Sequence, residues 1–281
     1  MSTRIGILHP GQMGASVGAA AVAAGGDACW ASQGRGQATG RRAAEARLRD
    51  VGTIEAVCDQ CDVIVSVCPP AAAEEVATGV AGRGFGGVFV DANAVAPHTA
   101  RRVGEIVVSA GARFVDGGLI GPPAHRAGTT RFYLSGSDAP SVAALFAGGP
   151  LEAVVVEGGA GGASALKMCY AAWTKGSAAL LIGVRALAGS ARVEEPLLAE
   201  WARSQPGLEA RSEAALSGNA HKAWRFAGEM REIAATFEEA SLPGGFHSAA
   251  ADVYDRLREY KDRAPPPPMA EAIGTLLESG R

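Results

Sequence analysis

Strong charge and long apolar runs are both missing from this chain. Its 281 residues carry a formal net charge of −3, so electrostatics give no basis for binding nucleic acid. The most apolar late stretch, Ala178 to Ala191, is interrupted by Arg185 and two glycines, so we expect no membrane-spanning helix. The N-terminus lacks a basic segment followed by an apolar run, so we also expect no signal peptide.

Cysteine is scarce, and no metal-binding pattern is visible. The five cysteines are an odd number in a large chain, which favours reduced thiols and a cytoplasmic location. Cys58 and Cys61 form a C-x-x-C motif without a second pair nearby, which indicates ordinary helix or loop cysteines rather than a zinc site. Carboxylates and histidines also lack ligand spacing, so we predict that the protein holds no metal.

The most informative segment lies at the beginning of the chain. The apolar run Ile5–Leu8 predicts a strand, and the alanine-rich residues after Gly14 predict a helix. A strand that enters a helix through such a turn directs backbone N–H groups at one point, which suits a pyrophosphate. A βα turn without a ligand is the alternative. The motif is G-x-G-x-x-G with its first glycine replaced by His9, and we expect Pro10 to fix the turn instead. The candidate cofactor-binding residues are His9, Pro10, Gly11, Gln12, Met13 and Gly14.

Strand and helix patterns alternate as far as Val156, which predicts an α/β fold with a doubly wound parallel Rossmann sheet. After the glycine-rich residues 158–162 only helical patterns follow. We therefore expect an NADP-binding domain over residues 1–157 and an all-helical substrate and dimerisation domain over residues 158–281. The apolar helix Ser164–Ala188 connects them and should be buried on most sides, which favours a homodimer formed through the helical domain.

The predicted second strand ends without the carboxylate that normally binds the ribose of NAD. Ser32 and Arg35 stand there instead and suit a 2′-phosphate, so NADP is favoured over NAD, although solvated surface arginines would look the same. Val67, Cys68 and Pro69 end a central strand where a nicotinamide should lie. Asn93 follows another strand and is expected to meet the carboxamide or the substrate, unless it only forms a turn.

Four motifs together resemble the β-hydroxyacid dehydrogenase and 6-phosphogluconate dehydrogenase family along nearly the full chain. The four segments are Gln12-Met13-Gly14, Asp91 to Pro97, Asp116 to Pro122, and Gly161 to Tyr170. The resemblance implies that Gly118, Leu119, Ile120 and Gly121 line the substrate site and that Lys167 is catalytic. Ile120 replaces the family's serine and Tyr170 its asparagine, so the chain resembles a divergent branch with a phosphogluconate-dehydrogenase-like C-terminal domain.

Lys167 is the candidate for proton transfer. A lysine near the start of an apolar helix is costly to keep charged, and burial would lower its pKa toward the range of a general acid and base; a lysine that reaches the surface is the alternative. Tyr170 lies one turn further and is the second catalytic candidate, expected to hydrogen-bond the substrate oxygen or to assist proton transfer; a core aromatic with its hydroxyl at the edge is the alternative. His247 follows a Pro-Gly-Gly turn and is a candidate substrate-pocket residue.

These observations predict an NADP-dependent oxidoreductase acting on a small alcohol or carbonyl, similar to a hydroxyacid. An imine reductase is one alternative, but that family replaces the lysine by aspartate or tyrosine, so Lys167 argues against it. A nucleotide-binding dimer without catalysis is another, and His9, Ile120 and Tyr170 favour it. We expect a small-molecule substrate, and neither nucleic acid nor membrane as a partner.

Overall fold

The computed structural model describes residues 3–278. It divides into two compact units, one that ends at Met168 and one that begins at Cys169. The division falls inside a long helix, after the glycine-rich residues where the sequence suggested a boundary near Glu157. The first turns of this helix pack with the first unit because hydrogen bonds tie them to its sheet, as described below. The assignment of the two segments to cofactor binding and to dimerisation stays a prediction.

The first unit contains one eight-stranded sheet with the strand order β3-β2-β1-β4-β5-β6-β7-β8. Neighbouring strands run parallel except β6 and β7, which are antiparallel. The expected α/β Rossmann fold is thus confirmed, with one reversed strand pair that the sequence did not indicate. The strands are β1 (Arg4–Leu8), β2 (Asp27–Trp30), β3 (Arg49–Asp50), β4 (Val63–Ser66), β5 (Val88–Asp91), β6 (Arg113–Ile120), β7 (Arg131–Ser135) and β8 (Glu152–Val155).

Apolar side chains cover both faces of the sheet. In β4, Val63 and Val65 belong to one buried cluster and Ile64 to another, as the two-residue period of a strand requires. Burial on both faces explains why the central strands read as continuous apolar runs. The helices of this unit are α1 (Gln12–Ala23), α2 (Gln37–Glu45), α3 (Ile54–Gln60), α4 (Ala73–Ala81), α5 (Pro97–Ser109) and α6 (Ala139–Ala144).

The second unit is helical. Residues 156–278 form helices and turns and contain no strand, as expected. Phe226 and Tyr254 pack edge to face with ring centroids 5.6 Å apart, joining α10 to α11. The helices are α7 (Gly162–Ser190), which begins in the first unit, α8 (Glu194–Ser204), α9 (Leu208–Asn219), α10 (Ala223–Glu239), α11 (Gly245–Arg256) and α12 (Met269–Glu278).

Helix α7 exposes large apolar side chains along one face. Trp173, Leu180 and Leu187 are 66%, 52% and 68% exposed. They follow one another at seven-residue intervals, so they share one face of the helix. The rest of the helix is mostly buried or half-buried, and burial of the exposed face in a dimer stays a prediction. Within residues 3–278, no helix has the length and apolar character needed to cross a membrane.

Candidate functional site

The turn between β1 and α1 is built around a left-handed residue. His9 has a φ of 63°, and its carbonyl accepts a hydrogen bond of 2.7 Å from the Gly11 amide. The conformation usually supplied by a first glycine is therefore adopted by His9 itself. A Cβ at Gly14 would lie 2.7 Å from the His9 carbonyl oxygen, so only glycine lets α1 approach the turn this closely.

The same turn leaves room for an anion. A Cβ at Gly11 would meet nothing nearer than 4.0 Å, and no side chain caps the start of α1. Arg42 brings a cation to the turn, where its Nε donates to the Pro10 carbonyl at 3.4 Å. An open backbone, an uncapped helix N-terminus and a neighbouring guanidinium together fit a pyrophosphate group. Arg42 was not among the expected site residues, because only the fold brings α2 to this turn.

His9 is held neutral at physiological pH. Burial, aided by the positive charge of Arg35, lowers the pKa of the His9 imidazole to about 4. Within residues 3–278 its buried Nδ1 has no hydrogen-bond partner. Arg35 is exposed and Ser32 half-buried, in a turn closed by the Arg35 amide and the Ser32 carbonyl at 3.0 Å. This turn follows β2 directly, so both residues stand at the carboxyl edge of the sheet.

A row of buried polar side chains crosses the sheet at this edge. In the strand register Ser66 pairs with Asp91, Asp91 with Asp116, and Asp116 with Ser135. All four residues are almost completely buried. Asp91 and Asp116 each belong to a motif that is visible in the sequence, but their alignment in one row depends on the strand register, which the sequence does not give.

The side chain of Asn93 forms hydrogen bonds with three other residues of the protein. Its amide nitrogen donates to Ser66 Oγ at 3.3 Å and to Asp91 Oδ1, and its Oδ1 accepts from the Cys68 amide at 2.5 Å. The side chain therefore holds the loop of Val67, Cys68 and Pro69 after β4. Burial raises the pKa of the Cys68 thiol to about 11, which keeps it protonated. Contact of these residues with a nicotinamide stays a prediction.

Asp116 ties the beginning of α7 to β6. Its carboxylate accepts from the Ser164 amide at 2.9 Å, from Ser164 Oγ at 2.6 Å and from Ser135 Oγ at 3.1 Å. Ser135 Oγ in turn accepts from the Ala163 amide at 2.9 Å. Burial raises the pKa of Asp116, and the hydrogen bonds from Ser164 and Ser135 oppose that shift. These bonds satisfy two amides of the first helical turn that have no partner inside the helix.

Lys167 lies one turn further along α7, over the end of β6. Its Nζ donates to the Leu119 carbonyl at 2.6 Å, and the residue is half-buried. A Cβ at Gly118 would lie 2.8 Å from the Ala163 oxygen and 3.1 Å from the Lys167 Cβ. Glycine at position 118 is thus what allows the helix to pack on the strand at this point.

The remaining predicted substrate residues of the first unit follow Gly118 at the end of β6 and in the turn after it. Leu119 and Ile120 are buried. Ile120 therefore places an apolar side chain where the resemblance expects the hydroxyl of a serine. Gly121 has a φ of 130°, and a Cβ there would lie 2.3 Å from the Thr129 oxygen. The turn after β6 therefore requires glycine at position 121. Whether these residues contact a substrate stays a prediction.

Two predicted site residues belong to the second unit. Tyr170 is 48% exposed, so the alternative that it is a core aromatic is wrong for the single chain. His247 is 5% exposed and lies between the rings of Phe237 and Phe246, with centroids 4.3 and 5.4 Å away. Its Nδ1 has no hydrogen-bond partner within residues 3–278, and burial lowers its pKa. A role for either residue at a substrate stays a prediction.

The structure also shows a buried ion pair that sequence analysis did not identify. Lys175 Nζ lies 2.6 Å from Glu229 Oε2, with the two side chains 13% and 8% exposed. The residues are far apart in sequence and on different helices, so no local pattern could have paired them. In the described part of the chain, no three His, Cys, Asp or Glu side chains come together as a metal site.

The fold is similar to that of several solved oxidoreductases. A 3-hydroxyisobutyrate dehydrogenase from Mycobacterium tuberculosis, solved with L-serine, is 20% identical with a TM-score of 0.69, over 98% of this chain and 99% of that one. A 3-hydroxyisobutyrate dehydrogenase from Salmonella typhimurium is 15% identical with a TM-score of 0.70, over 97% and 99%. A reductive aminase from Aspergillus terreus, solved with NADPH, is 19% identical with a TM-score of 0.56, over both full chains. At these identities the likeness shows the fold alone.

Sequence comparison adds the family. Curated protein sequences gave no match. The family model described as a domain of unknown function (DUF1932) matches residues 188–257, in the helical unit. The model for the NAD binding domain of 6-phosphogluconate dehydrogenase matches residues 4–145, which is half of the chain and includes the β1–α1 turn. The chain therefore belongs to the family of proteins with the NAD-binding domain of 6-phosphogluconate dehydrogenase.

Proposed function

We propose that this protein is an NADP-dependent oxidoreductase that interconverts a small alcohol and its carbonyl, with a hydroxyacid-like substrate and Lys167 as the proton-transfer group. The observation that carries the proposal is the bond from Lys167 Nζ to the Leu119 carbonyl. It holds an amine at the end of β6. Because β1, β4, β5 and β6 run parallel, this is the same sheet edge as the β1–α1 turn, where ligands of such sheets bind.

Each part of this edge has a distinct task in the proposed reaction. A bound nicotinamide supplies or accepts the hydride. In the oxidation direction Lys167 Nζ takes the proton of the substrate hydroxyl, and in reduction it returns a proton to the oxygen that becomes the alcohol. The Leu119 carbonyl fixes Nζ, and Asp116 fixes the helix that carries it, so the amine is positioned before substrate binds.

A substrate panel tests the reaction class. The purified protein is incubated with hydroxyacids and NADP, and with aldehydes, ketones or cyclic imines and NADPH, while the absorbance of the reduced nicotinamide is followed. We expect turnover with hydroxyacids or with their carbonyl counterparts. NADPH binding without oxidation by any carbonyl or imine would instead support a non-catalytic nucleotide-binding protein.

Imine reduction is the second candidate. The apolar Ile120 lies two residues after Gly118 and therefore on the strand face that packs against Lys167. It favours a substrate without a carboxylate, and the reductive aminase resembles this chain over its full length. The same panel separates the two candidates. Turnover of cyclic imines without turnover of hydroxyacids would replace our first choice by this one.

Ser32 and Arg35 support the preference for NADP, because a hydroxyl and a guanidinium suit the 2′-phosphate. We expect Arg35→Ala to weaken NADPH binding about 10- to 100-fold, the loss of one charge-assisted contact. NADH lacks the 2′-phosphate and is the internal control, since its weaker binding should change little. An equal loss for both coenzymes would contradict a phosphate contact at Arg35.

The exposed face of α7 supports a homodimer formed through the helical unit. Trp173, Leu180 and Leu187 form an apolar stripe that a second copy of the chain would cover. We expect Leu180→Glu combined with Leu187→Glu to give monomers in size-exclusion chromatography with light scattering. Val108→Glu, at an exposed apolar position of α5, is the matched control and should leave the mass unchanged. A monomeric wild-type protein would contradict the proposal.

A further inference from the structure

Cys29 and Cys61 form a buried thiol pair in the first unit. Their Sγ atoms are 3.1 Å apart although the residues are separated by 32 positions. Cys29 lies in β2, and Cys61 follows the last residue of α3. They are 1% and 8% exposed. A disulfide has an S–S distance of about 2.05 Å, so the two sulfurs need to approach by only about 1 Å to form one.

The neighbouring strand makes room for this contact. Gly6 of β1 pairs with Cys29 in the strand register. A Cβ at Gly6 would lie 3.2 Å from Cys61 Sγ and 2.5 Å from a methyl carbon of Val57. A larger residue at this position would therefore displace the end of α3, and with it the Cys61 thiol. The pairing also explains why the C-x-x-C motif is misleading, since the thiol of Cys61 contacts Cys29 and not Cys58.

The two thiols differ in their readiness to ionise. The hydrogen bond from the Cys61 thiol lowers the pKa of Cys29, and burial opposes this shift. The same contact and burial raise the pKa of Cys61. The positive charges of Arg4 and Arg49 lower the pKa of both thiols, and the negative charge of Asp27 raises that of Cys29. Asp27 and Arg49 also form an ion pair at 3.4 Å. Cys29 is therefore the thiol that ionises more readily and can attack an oxidant, and Cys61 is the thiol that can then form the disulfide with it.

We propose that Cys29 and Cys61 are a reversible dithiol–disulfide site that a small hydroperoxide oxidises. The Cys29 thiolate attacks one oxygen of hydrogen peroxide, the O–O bond breaks, and a sulfenic acid forms while hydroxide leaves and takes up the proton that Cys29 lost. The Cys61 sulfur then attacks the Cys29 sulfur, the S–S bond forms, and the sulfenic hydroxyl leaves as water with the Cys61 proton. Two thiols lose two electrons to the peroxide, and two waters result.

The bond would connect β2 to the residues that enter β4, near the middle of the sheet. Cross-linking chain segments that are far apart in sequence restricts the unfolded state and so stabilises the fold. The other three cysteines have different surroundings: Cys58 and Cys68 are half-buried, and Cys169 is exposed in the second unit. These three are internal references for the specificity of oxidation. The proposal does not depend on the enzymatic function proposed above.

Peptide mapping of the folded wild-type protein tests the site. The reduced protein is exposed to hydrogen peroxide, free thiols are alkylated, and the chain is cut after Lys and Arg and before Asp. Asp59 and Asp62 separate Cys58, Cys61 and Cys68 into different peptides. We expect the Cys29 peptide to be linked to the Cys61 peptide, with two free thiols lost of the five, and dithiothreitol to restore both.

Two substitutions test whether Cys29 and Cys61 are the pair that is oxidised. The cross-linked peptide should persist in Cys58→Ser and disappear in Cys61→Ser, and mapping of the wild type remains decisive if Cys61→Ser does not fold. Peroxide treatment that leaves Cys29 and Cys61 alkylated while Cys169 is oxidised would overturn the proposal. Linkage of Cys29 to any other cysteine, or oxidation of the two sulfurs without a bond between them, would overturn it as well.

Discussion

Both units bury polar side chains, but they differ in how many large apolar side chains they leave exposed. The first unit buries a row of polar residues at the sheet edge, and each described contact joins neighbouring elements of that unit, as Asp116 does with Ser164. The second unit buries an ion pair between Lys175 and Glu229 and yet exposes Trp173 and other large apolar side chains. The difference teaches that the Rossmann unit completes its own packing, whereas the helical unit leaves an apolar face that we propose a second chain covers.

The surroundings of the buried pair show why the helical unit tolerates it. The Tyr254 hydroxyl donates to the Lys175 carbonyl at 2.9 Å, and Lys175 Nζ lies 4.9 Å from the centre of the Phe226 ring. Burial, and then the charge of Glu229, raises the pKa of Tyr254, so its hydroxyl stays protonated as a donor. The pair therefore joins α7, α10 and α11 through polar contacts inside an otherwise apolar core.

Removing one partner of this pair should have the largest effect on stability. Glu229→Ala leaves Lys175 buried without its counter-charge, which typically costs about 3–5 kcal/mol. The exposed Arg102–Glu74 pair of the first unit gives the control, since Glu74→Ala should cost less than about 1 kcal/mol. Urea unfolding measures both variants. Equal losses would remove the distinction between a buried pair and a surface pair.

Asp116→Ala tests the polar row of the first unit. Three hydrogen bonds to the carboxylate are lost, and the Ser164 and Ser135 groups stay buried, so we expect a loss of about 2–4 kcal/mol. Ser164→Ala should cost less, because the backbone amide bond to Asp116 remains. In a double-mutant cycle the two losses should not add, since both remove the same contact. Additive losses would show that Asp116 acts elsewhere.

Gly118→Ala tests the close packing of α7 on β6. The added methyl meets the Ala163 oxygen and the Lys167 Cβ, so we expect a loss of about 1–3 kcal/mol together with slower turnover, because Lys167 is displaced. Gly86→Ala is the control, since nothing lies within 4 Å of a Cβ there. Unchanged turnover in the Gly118 variant would contradict the placement of Lys167.

At neutral pH the smallest expected effect is that of His9, which adds a pH dependence only in acidic solution. Its pKa is about 4 in the folded protein, below the ordinary value of 6.5, so between these two values the unfolded chain binds a proton that the folded chain does not. Stability should therefore fall as the pH drops from 6.5 toward 4, and His9 should contribute no slope above that range. His9→Asn keeps a residue that tolerates positive φ, and its melting temperature should fall less over this range. Identical pH profiles for both proteins would contradict this account.

Local sequence patterns were sufficient for most of the fold. The Gly11-x-x-Gly14 turn, the apolar strands and the long helix that carries Lys167 are each recognisable from residues that lie close together in the chain. The reversed strand β7 could not be predicted in this way, because its residues Arg131–Ser135 are equally suited to either direction. The two-residue strand β3 is too short to produce a period.

The parts of the candidate site that lie within one short segment could be predicted from the sequence. The parts that depend on contacts between distant segments could not. His9 was recognised as a departure from the glycine motif, but its left-handed backbone is visible only in the structure. The bonds from Asp116 to Ser164, the approach of Arg42 to Pro10 and the contact between Cys29 and Cys61 each join residues distant in sequence. Such contacts depend on the strand register and on where each helix packs, and neither can be derived from a single sequence.

Single-turnover kinetics of Lys167→Met, compared with the wild type, test the proton-transfer role most directly. The variant is first titrated with NADPH, and the rate of coenzyme oxidation is then measured with the best substrate of the panel. We expect a rate at least about 100-fold lower, the typical contribution of a general acid, with NADPH affinity unchanged within about threefold. A variant that keeps the wild-type rate would contradict it.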